Sequence, residues 1–242
     1  MTITPMQPSA MQPWSVTAVN LPEHADNPIH TDAGAHAAGF DAALVAGVTT
    51  YAAMTPLPAT AWGSDWLERG GAAVRFRSPV LDGERIDFAV DDDRDVFGTV
   101  DGGRRFEGTF VRQVRDSIEQ RPGDALEPIR QHLDESWSNY GARAGDDCTI
   151  YASERLAHPS SWPRIANQFC HEQLVSGSWI HVRSRIAHLG LAAVGADVHA
   201  TATLVERFDS RAGERAVLDV LISADGRQVA AVEHEAIISL AS

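Results

Sequence analysis

Lysine is absent from all 242 residues, so the 20 basic side chains are arginines, set against 33 acidic ones for a formal net charge of −13. A field of that sign excludes nucleic acid and anionic membrane as general partners, because phosphate-rich surfaces attract a positive one. In a chain rich in alanine and glycine, the all-arginine bias is also what a GC-rich coding sequence produces. Single arginines still suit a ligand phosphate. Cysteine is nearly missing: Cys148 and Cys170 have neither CxxC nor metal-ligand spacing, which points to a reduced compartment and to packing roles. No apolar run approaches the roughly 18 residues that cross a bilayer. Met1 to Trp14 lacks the basic and apolar regions of a secretory leader. A cytoplasmic location is therefore expected. Also lacking are a Gly-x-Ser-x-Gly elbow, a phosphate-cradling glycine loop and a recognised metal spacing around His171-Glu172. No metal and no cofactor are expected.

What is present is enough apolar sequence, 44%, and enough length for one large domain or two small ones. Trp14 to Val19 alternates with the period of a strand. A loop, a helical segment from about Ala42 to Thr55, and strands at Ala73–Arg77 and Arg85–Val90 follow. A hairpin then spans Val96 to Val111, turning at Asp101-Gly102-Gly103. The second half offers a strand at Thr149–Ala152, a helix from about Pro163 to Val175, and strands at Trp179–Arg183 and Val198–Val205. A last pair, Ala216–Ser223 and Val229–Leu240, turns at Asp225-Gly226. Each half thus runs strand, helix, then about four strands in meander. That is an α+β unit whose helix covers one sheet face. Residues 1–115 and 148–242 are expected as the two units, pairing as a pseudo-dimer. Residues 116–147 are expected as a connector, partly helical at Ile129–Trp137.

The chemistry concentrates in Asp26-Asn27-Pro28-Ile29-His30-Thr31-Asp32 and in the glycine-entered helix after it. A histidine near neutral pKa can accept and return a proton, and backbone N–H groups at a helix start can polarise a carbonyl. Three passages carry a resemblance. Asn27-Pro28-Ile29-His30 followed by Asp32 is similar to Asn-Pro-(Leu/Ile)-His-x-Asp. Leu44-Val45-Ala46-Gly47-Val48 is similar to Pro-Ile-Val-His-Gly-Met. Phe76 to Glu84 is similar to Phe-x-x-Pro-Val-x-x-Gly-Asp. Together they resemble the MaoC-like dehydratases, which include the (R)-specific enoyl-CoA hydratases.

The resemblance implies a double hotdog fold, with an acyl thioester, on CoA or a carrier protein, held in a tunnel between helix and sheet. It implies hydration of a 2-enoyl thioester or the reverse dehydration. His30 would be the acid/base group, Asn27 would orient the loop or substrate, and Gly47 with Val48 would lie at the carbonyl. The family's catalytic aspartate stands five positions before the histidine, and here that position is Ala25. Asp26 and Asp32, with Glu23 and His24, are the groups close enough in sequence to stand in. The histidine of the helix entry is Ala46.

Each residue also has a plainer reading. Asn27-Pro28 makes a helix cap and first position, Asp32 a helix-start carboxylate, Gly47 a close packing contact, and His181 a core or surface residue that could also line the cavity. Arg75 and Arg77 share a strand face and could reach a CoA phosphate. A non-catalytic acyl-binding module and a thioesterase are the competing functions, and a homodimer of such chains is a further expectation.

Overall fold

A computed structural model describes residues 9–115 and 120–241. Its strands are β1 (Trp14–Thr17), β2 (Gly71–Phe76), β3 (Arg85–Asp91), β4 (Asp95–Val100), β5 (Gly103–Val111), β6 (Asp124–Ala125), β7 (Ile129–His132), β8 (Ile180–His188), β9 (Asp197–Ser210), β10 (Gly213–Ala224) and β11 (Arg227–Leu240). They form one antiparallel sheet in the order β1-β3-β4-β5-β2-β8-β11-β10-β9-β6, with β7 also on β9.

The order repeats. β3-β4-β5 and β9-β10-β11 are meanders, and in each half the strand before the meander lies beyond its last strand. That placement corrects the simple four-strand meander expected from the sequence. It also puts β2 and β8 at facing edges, where Gly71↔Ala187 to Arg75↔Arg183 pair and join the halves into a single sheet. Two free edges are thereby satisfied by each other. The tight turns fall where expected, with Asp101 and Gly102 at φ 50° and 76° and Asp225 and Gly226 at 48° and 75°, the left-handed values a two-residue hairpin requires.

The helices are α1 (Asp32–Ala37), α2 (Gly47–Met54), α3 (Pro56–Trp62), α4 (Ser64–Arg69), α5 (Glu135–Ser138), α6 (Tyr140–Arg143), α7 (Ile150–Ser153) and α8 (Ser161–Gln173). Two expectations change here. Residues 149–152 are not a strand but the turn of helix α7. Ile129–His132, expected as helical, is strand β7, pairing with β9 as β1 pairs with β3. So short a segment carries no pattern of its own that separates strand from helical turn, and partner strands decide it.

The long first helix begins at Gly47 rather than Ala42, because Leu44 bridges to Leu81 and Val45 N–H donates to Val80 O. α8 shows the amphipathic spacing its sequence carries. Trp162, Ile165, Ala166, Phe169 and Cys170 are buried, and Arg164, Gln168, His171 and Glu172 lie on a cavity wall. α2 is buried on every side, by the sheet below and by Tyr140 of α6 beside it. Cys148 and Cys170 are free thiols, the second fully buried.

Candidate functional site

The loop ahead of α1 is built from two short 3₁₀ turns, Pro22–His24 and Pro28–His30. Proline supplies the first position of each, and Asn27 caps the second by accepting from Ile29 N–H. Asn27 is buried, and its amide donates to Trp179 O (2.9 Å), tying the loop to the second half of the chain. Ile29 anchors the turn in the core, and Asn20 Nδ2 donates to His30 O (2.9 Å).

These contacts hold the His30 ring on the wall of a cavity of about 600 Å³ that runs between the two halves. His30 Nδ1 lies 2.7 Å from Leu44 O. A carbonyl only accepts, so Nδ1 carries the proton and Nε2 keeps its lone pair. Nε2 has only a long contact, 3.4 Å, with Asn27 Nδ2. Burial holds the His30 pKa below 6.5, against the pull of the Leu44 carbonyl. The ring is therefore a neutral base at neutral pH.

Among the described residues no carboxylate is hydrogen-bonded to His30. Asp26 is exposed at the cavity mouth. Asp32 is exposed too, does not line the cavity, and accepts from Ala43 N–H (3.0 Å), which fits its helix-start reading. Glu23 pairs with Arg143 (2.6 Å).

What occupies the inner wall instead is His24, with ring centroids 5.8 Å from His30. Its Nε2 is 2.7 Å from the Tyr140 hydroxyl, which is 2.7 Å from Thr49 Oγ1. Burial, then the neighbouring His30, push the His24 pKa down to about 4. Sequence reasoning had placed His24 among several loop neighbours and had no sign of Tyr140 or Thr49, because their partnership spans residues far apart in the chain.

Gly47 and Val48 open α2 against the cavity, capped by Ala46 without a side-chain bond. As first-turn residues they have N–H groups with no intrahelical acceptor. Arg77 lines the cavity and pairs with Glu107, whereas Arg75 is exposed and lies away from it. The expected sharing of a strand face therefore does not bring both to the site. Arg164, Gln168 and Arg215 of the second half do line it, with Trp137 of the connector. The polar face of α8 was the signal that could have found the first two. His171 and Glu172 also reach the wall, and no cluster of three or more potential metal ligands occurs among the described residues.

Three histidines, His24 half-buried and His188 and His234 fully buried, give the protein an acid sensitivity with a defined window. Burial lowers His24 and His188 to about 4 and His234 to about 3, from 6.5. An imidazole with a depressed folded pKa binds its proton better in the unfolded chain, so stability is full above pH 6.5 and falls as the pH drops toward 4 and then 3. Urea unfolding midpoints should be level from pH 8 to 7 and decline steadily from 6.5 to 4. A flat profile across that window would contradict the assignment.

Residues 11–107 match the model of the MaoC like domain. The sequence matches no curated protein. Among solved structures, the chain is similar to a conserved hypothetical protein of Mycobacterium tuberculosis described as having a double hotdog fold. The identity is 10%, the coverage 95% of this chain and 96% of that one, and the TM-score 0.65. It is also similar to a MaoC-domain protein from Chloroflexus aurantiacus J-10-fl carrying a provisional dehydratase name (8%, 97% and 96%, TM-score 0.63). A third is a protein of Lactobacillus plantarum provisionally named an oleoyl thioesterase (10%, 94% and 96%, TM-score 0.57).

Proposed function

From a first half that carries a MaoC-like domain on a double hotdog frame, we propose an acyl-thioester hydratase or dehydratase acting on a 2-enoyl or 3-hydroxyacyl thioester of CoA or a carrier protein. The observation that carries this reading is the neutral His30 with its Nε2 lone pair on the cavity wall that also receives the start of α2. His30 Nε2 takes a proton from water as the oxygen bonds to C3. The C2–C3 π pair moves toward the thioester, giving an enolate whose oxygen accepts from the Gly47 and Val48 N–H groups. The His30 imidazolium then returns the proton to C2, so the elements of water are added and the base is regenerated. Asn27 positions the ring, Asp26 at the mouth takes no part in this scheme, and Arg77, Arg164 and Arg215 are the cations available to the phosphates of a carrier.

The reading also divides the chain into units 1–115 and 148–242 with a connector at 116–147, of which β7 belongs to the second sheet half, in a reduced cytoplasmic compartment.

One observation favours a second reading. The absence of a carboxylate beside His30, among the described residues, suits a non-catalytic acyl-binding protein. The test is incubation of the purified chain with 2-enoyl-CoAs of short and long acyl chains, following loss of the conjugated thioester absorbance. Turnover supports the hydratase. Saturable binding without turnover replaces it with the binder, and release of free thiol from saturated acyl-CoA replaces it with a thioesterase.

A further inference from the structure

The chain holds 33 carboxylates for 20 guanidinium groups, so an arginine left without an anion is out of place in it. Of the three arginines that line the cavity, Arg77 pairs with Glu107 (2.5 Å) and Arg215 with Glu235 (2.6 Å). Arg164, in the first turn of α8, has neither an ion pair nor a hydrogen bond among the described residues. Its guanidinium is stacked over the Trp137 ring, 4.4 Å from the centroid, and lies 5.7 Å from the centroid of Tyr140. Both rings are buried, and they hold the group in place. Nη1 is enclosed, whereas Nε and Nη2 are not. The carboxylates around it are committed elsewhere: Glu23 to Arg143 (2.6 Å), Asp134 to Ser136 N–H (2.8 Å) and Glu172 to Gln168 Nε2 (2.7 Å). Asn167, one turn on along the same face of α8, also lines the cavity. Its Oδ1 is enclosed, which leaves Nδ2–H as the end a ligand can meet.

We propose that Arg164 and Asn167 form a carboxylate subsite, so that the acyl group taken by this cavity carries a second carboxylate beyond the thioester. The inference rests on the acyl-thioester reading of the cavity and names the class of acyl group: a short dicarboxylic one, joined to its carrier through one end.

Position separates this subsite from a phosphate site. The proposed scheme puts the thioester carbonyl at Gly47, Val48 and His30. Arg164 is one aromatic ring removed from that machinery, since the Tyr140 hydroxyl is 2.7 Å from His24 Nε2 and the His24 ring is 5.8 Å from that of His30. The phosphates of a carrier lie at the far end of a pantetheine arm, and the exposed Arg77 is the arginine placed for them. A carboxylate on the acyl chain stands only a few bonds from the thioester carbon. The wall itself agrees. Arg164, Asn167, Gln168 and His171 make one side of the cavity polar, and a long alkyl chain laid on it would strip their water without replacing the hydrogen bonds. A planar carboxylate accepts from Nε and Nη2 together, in the two-bond geometry that arginine offers and lysine does not. It also supplies the counter-charge that a half-buried cation otherwise lacks.

The experiment titrates the purified chain with succinyl-CoA and glutaryl-CoA, with butyryl-CoA and pentanoyl-CoA of matching length, and with free CoA, by calorimetry. Wild type should bind at least one dicarboxylic probe about 10–100-fold more tightly than its monocarboxylic match, the range of a hydrogen bond to a charged group. Arg164→Gln should lose that preference and bind the monocarboxylic probes as wild type does, which also shows the cavity intact. Arg164→Lys, which keeps the charge but not the fork, should keep part of it. Asn167→Leu should reduce the preference severalfold and serves if the Arg164 variants do not fold. Equal affinity for the matched probes in wild type, or a preference that neither Arg164→Gln nor Asn167→Leu reduces, overturns the proposal. So does an equal loss in Arg164→Gln with every probe and with free CoA, which would give Arg164 to the phosphates of the carrier. In turnover, kcat/KM should favour glutaconyl-CoA over 2-pentenoyl-CoA in the same Arg164-dependent way. A carboxylate preference that depends on Arg164 in a wild type without hydration would support the subsite and refute the hydratase. Hydration of 2-pentenoyl-CoA without any preference for a carboxylate would do the reverse, and failure of wild type to bind any acyl-CoA would remove both.

Discussion

On the proposed hydratase reading, His30→Ala is expected to lower kcat for hydration of a 2-enoyl thioester by about 10²–10⁴-fold, the span that a positioned acid/base group contributes. KM should change little, because the groups available to bind the carbonyl and the carrier phosphates belong to α2, α8 and the arginines. The expected size follows from the isolation of the ring. Its Nδ1 proton is committed to Leu44 O, so Nε2 is the single free lone pair, and no carboxylate among the described residues is hydrogen-bonded to it as a substitute. The pH profile carries a second mark of the same group. A base must be unprotonated to act, and burial holds the His30 pKa below 6.5. In wild type kcat/KM should therefore be level above pH 6.5 and fall as the pH drops through the lowered pKa, provided the chain stays folded. The measurement is loss of enoyl-thioester absorbance across a pH series for wild type and variant. A loss under tenfold would remove His30 from the chemistry and move the role to His24, whose hydroxyl partners Tyr140 and Thr49 already surround it.

The second large effect is on stability. Behind α2, His158 and Asp146 form a fully buried pair, Nε2 to Oδ2 at 3.2 Å. Thr55 Oγ1 lies 3.1 Å from the same nitrogen, and Ser160 Oγ lies 2.7 Å from Nδ1. The Ser160, His158 and Asp146 side chains have the order of a hydrolytic triad, but none of them lines the cavity, so the cluster is a fastener. It ties α2 to the segment ahead of α7 and to the start of α8. Truncating one member leaves the others without donors in a medium that cannot replace them. His158→Leu should cost about 3–5 kcal/mol of unfolding free energy, the loss seen when one partner of a buried pair is removed. Urea unfolding reads it as a fall in midpoint at unchanged slope. Adding Asp146→Asn should recover part of the loss, because the carboxylate left unpaired is then gone. A single-variant loss below 1 kcal/mol would show that the cluster is hydrated and peripheral.

Much of the frame was legible along the chain. The hairpin turns at Asp101-Gly102 and Asp225-Gly226, the amphipathic α8 and the loop motif around Asn27 and His30 depend on neighbours within a few residues. Pattern and turn chemistry specify such features locally. Segments whose conformation depends on remote partners were less legible. Thr149–Ala152, expected as a strand, finds no strand to pair with and enters the helical turn Ile150–Ser153, and Ile129–His132 becomes a strand because β9 is beside it. Arg75 and Arg77 share a strand face, yet only the second lies near enough to the strand end to meet the cavity. At the site, the motif located His30 and the start of α2 and noted Ala25 where an aspartate was expected. It could not say what fills that gap, since Tyr140, Thr49 and His181 come from distant parts of the chain.

By itself the sequence determined two α+β halves, the loop motif from Asn27 to Asp32, the glycine at the start of α2 and the absence of a carboxylate at Ala25. All of these are read from local spacing and residue type. Tertiary structure alone decided that β2 and β8 close the halves into one sheet, that His30 has no carboxylate partner among the described residues, and that His24 and His181 meet the cavity from opposite halves. The physical reason is that a proton's position depends on hydrogen-bond partners a few ångströms away in space, and chain folding brings those together from segments that share no pattern.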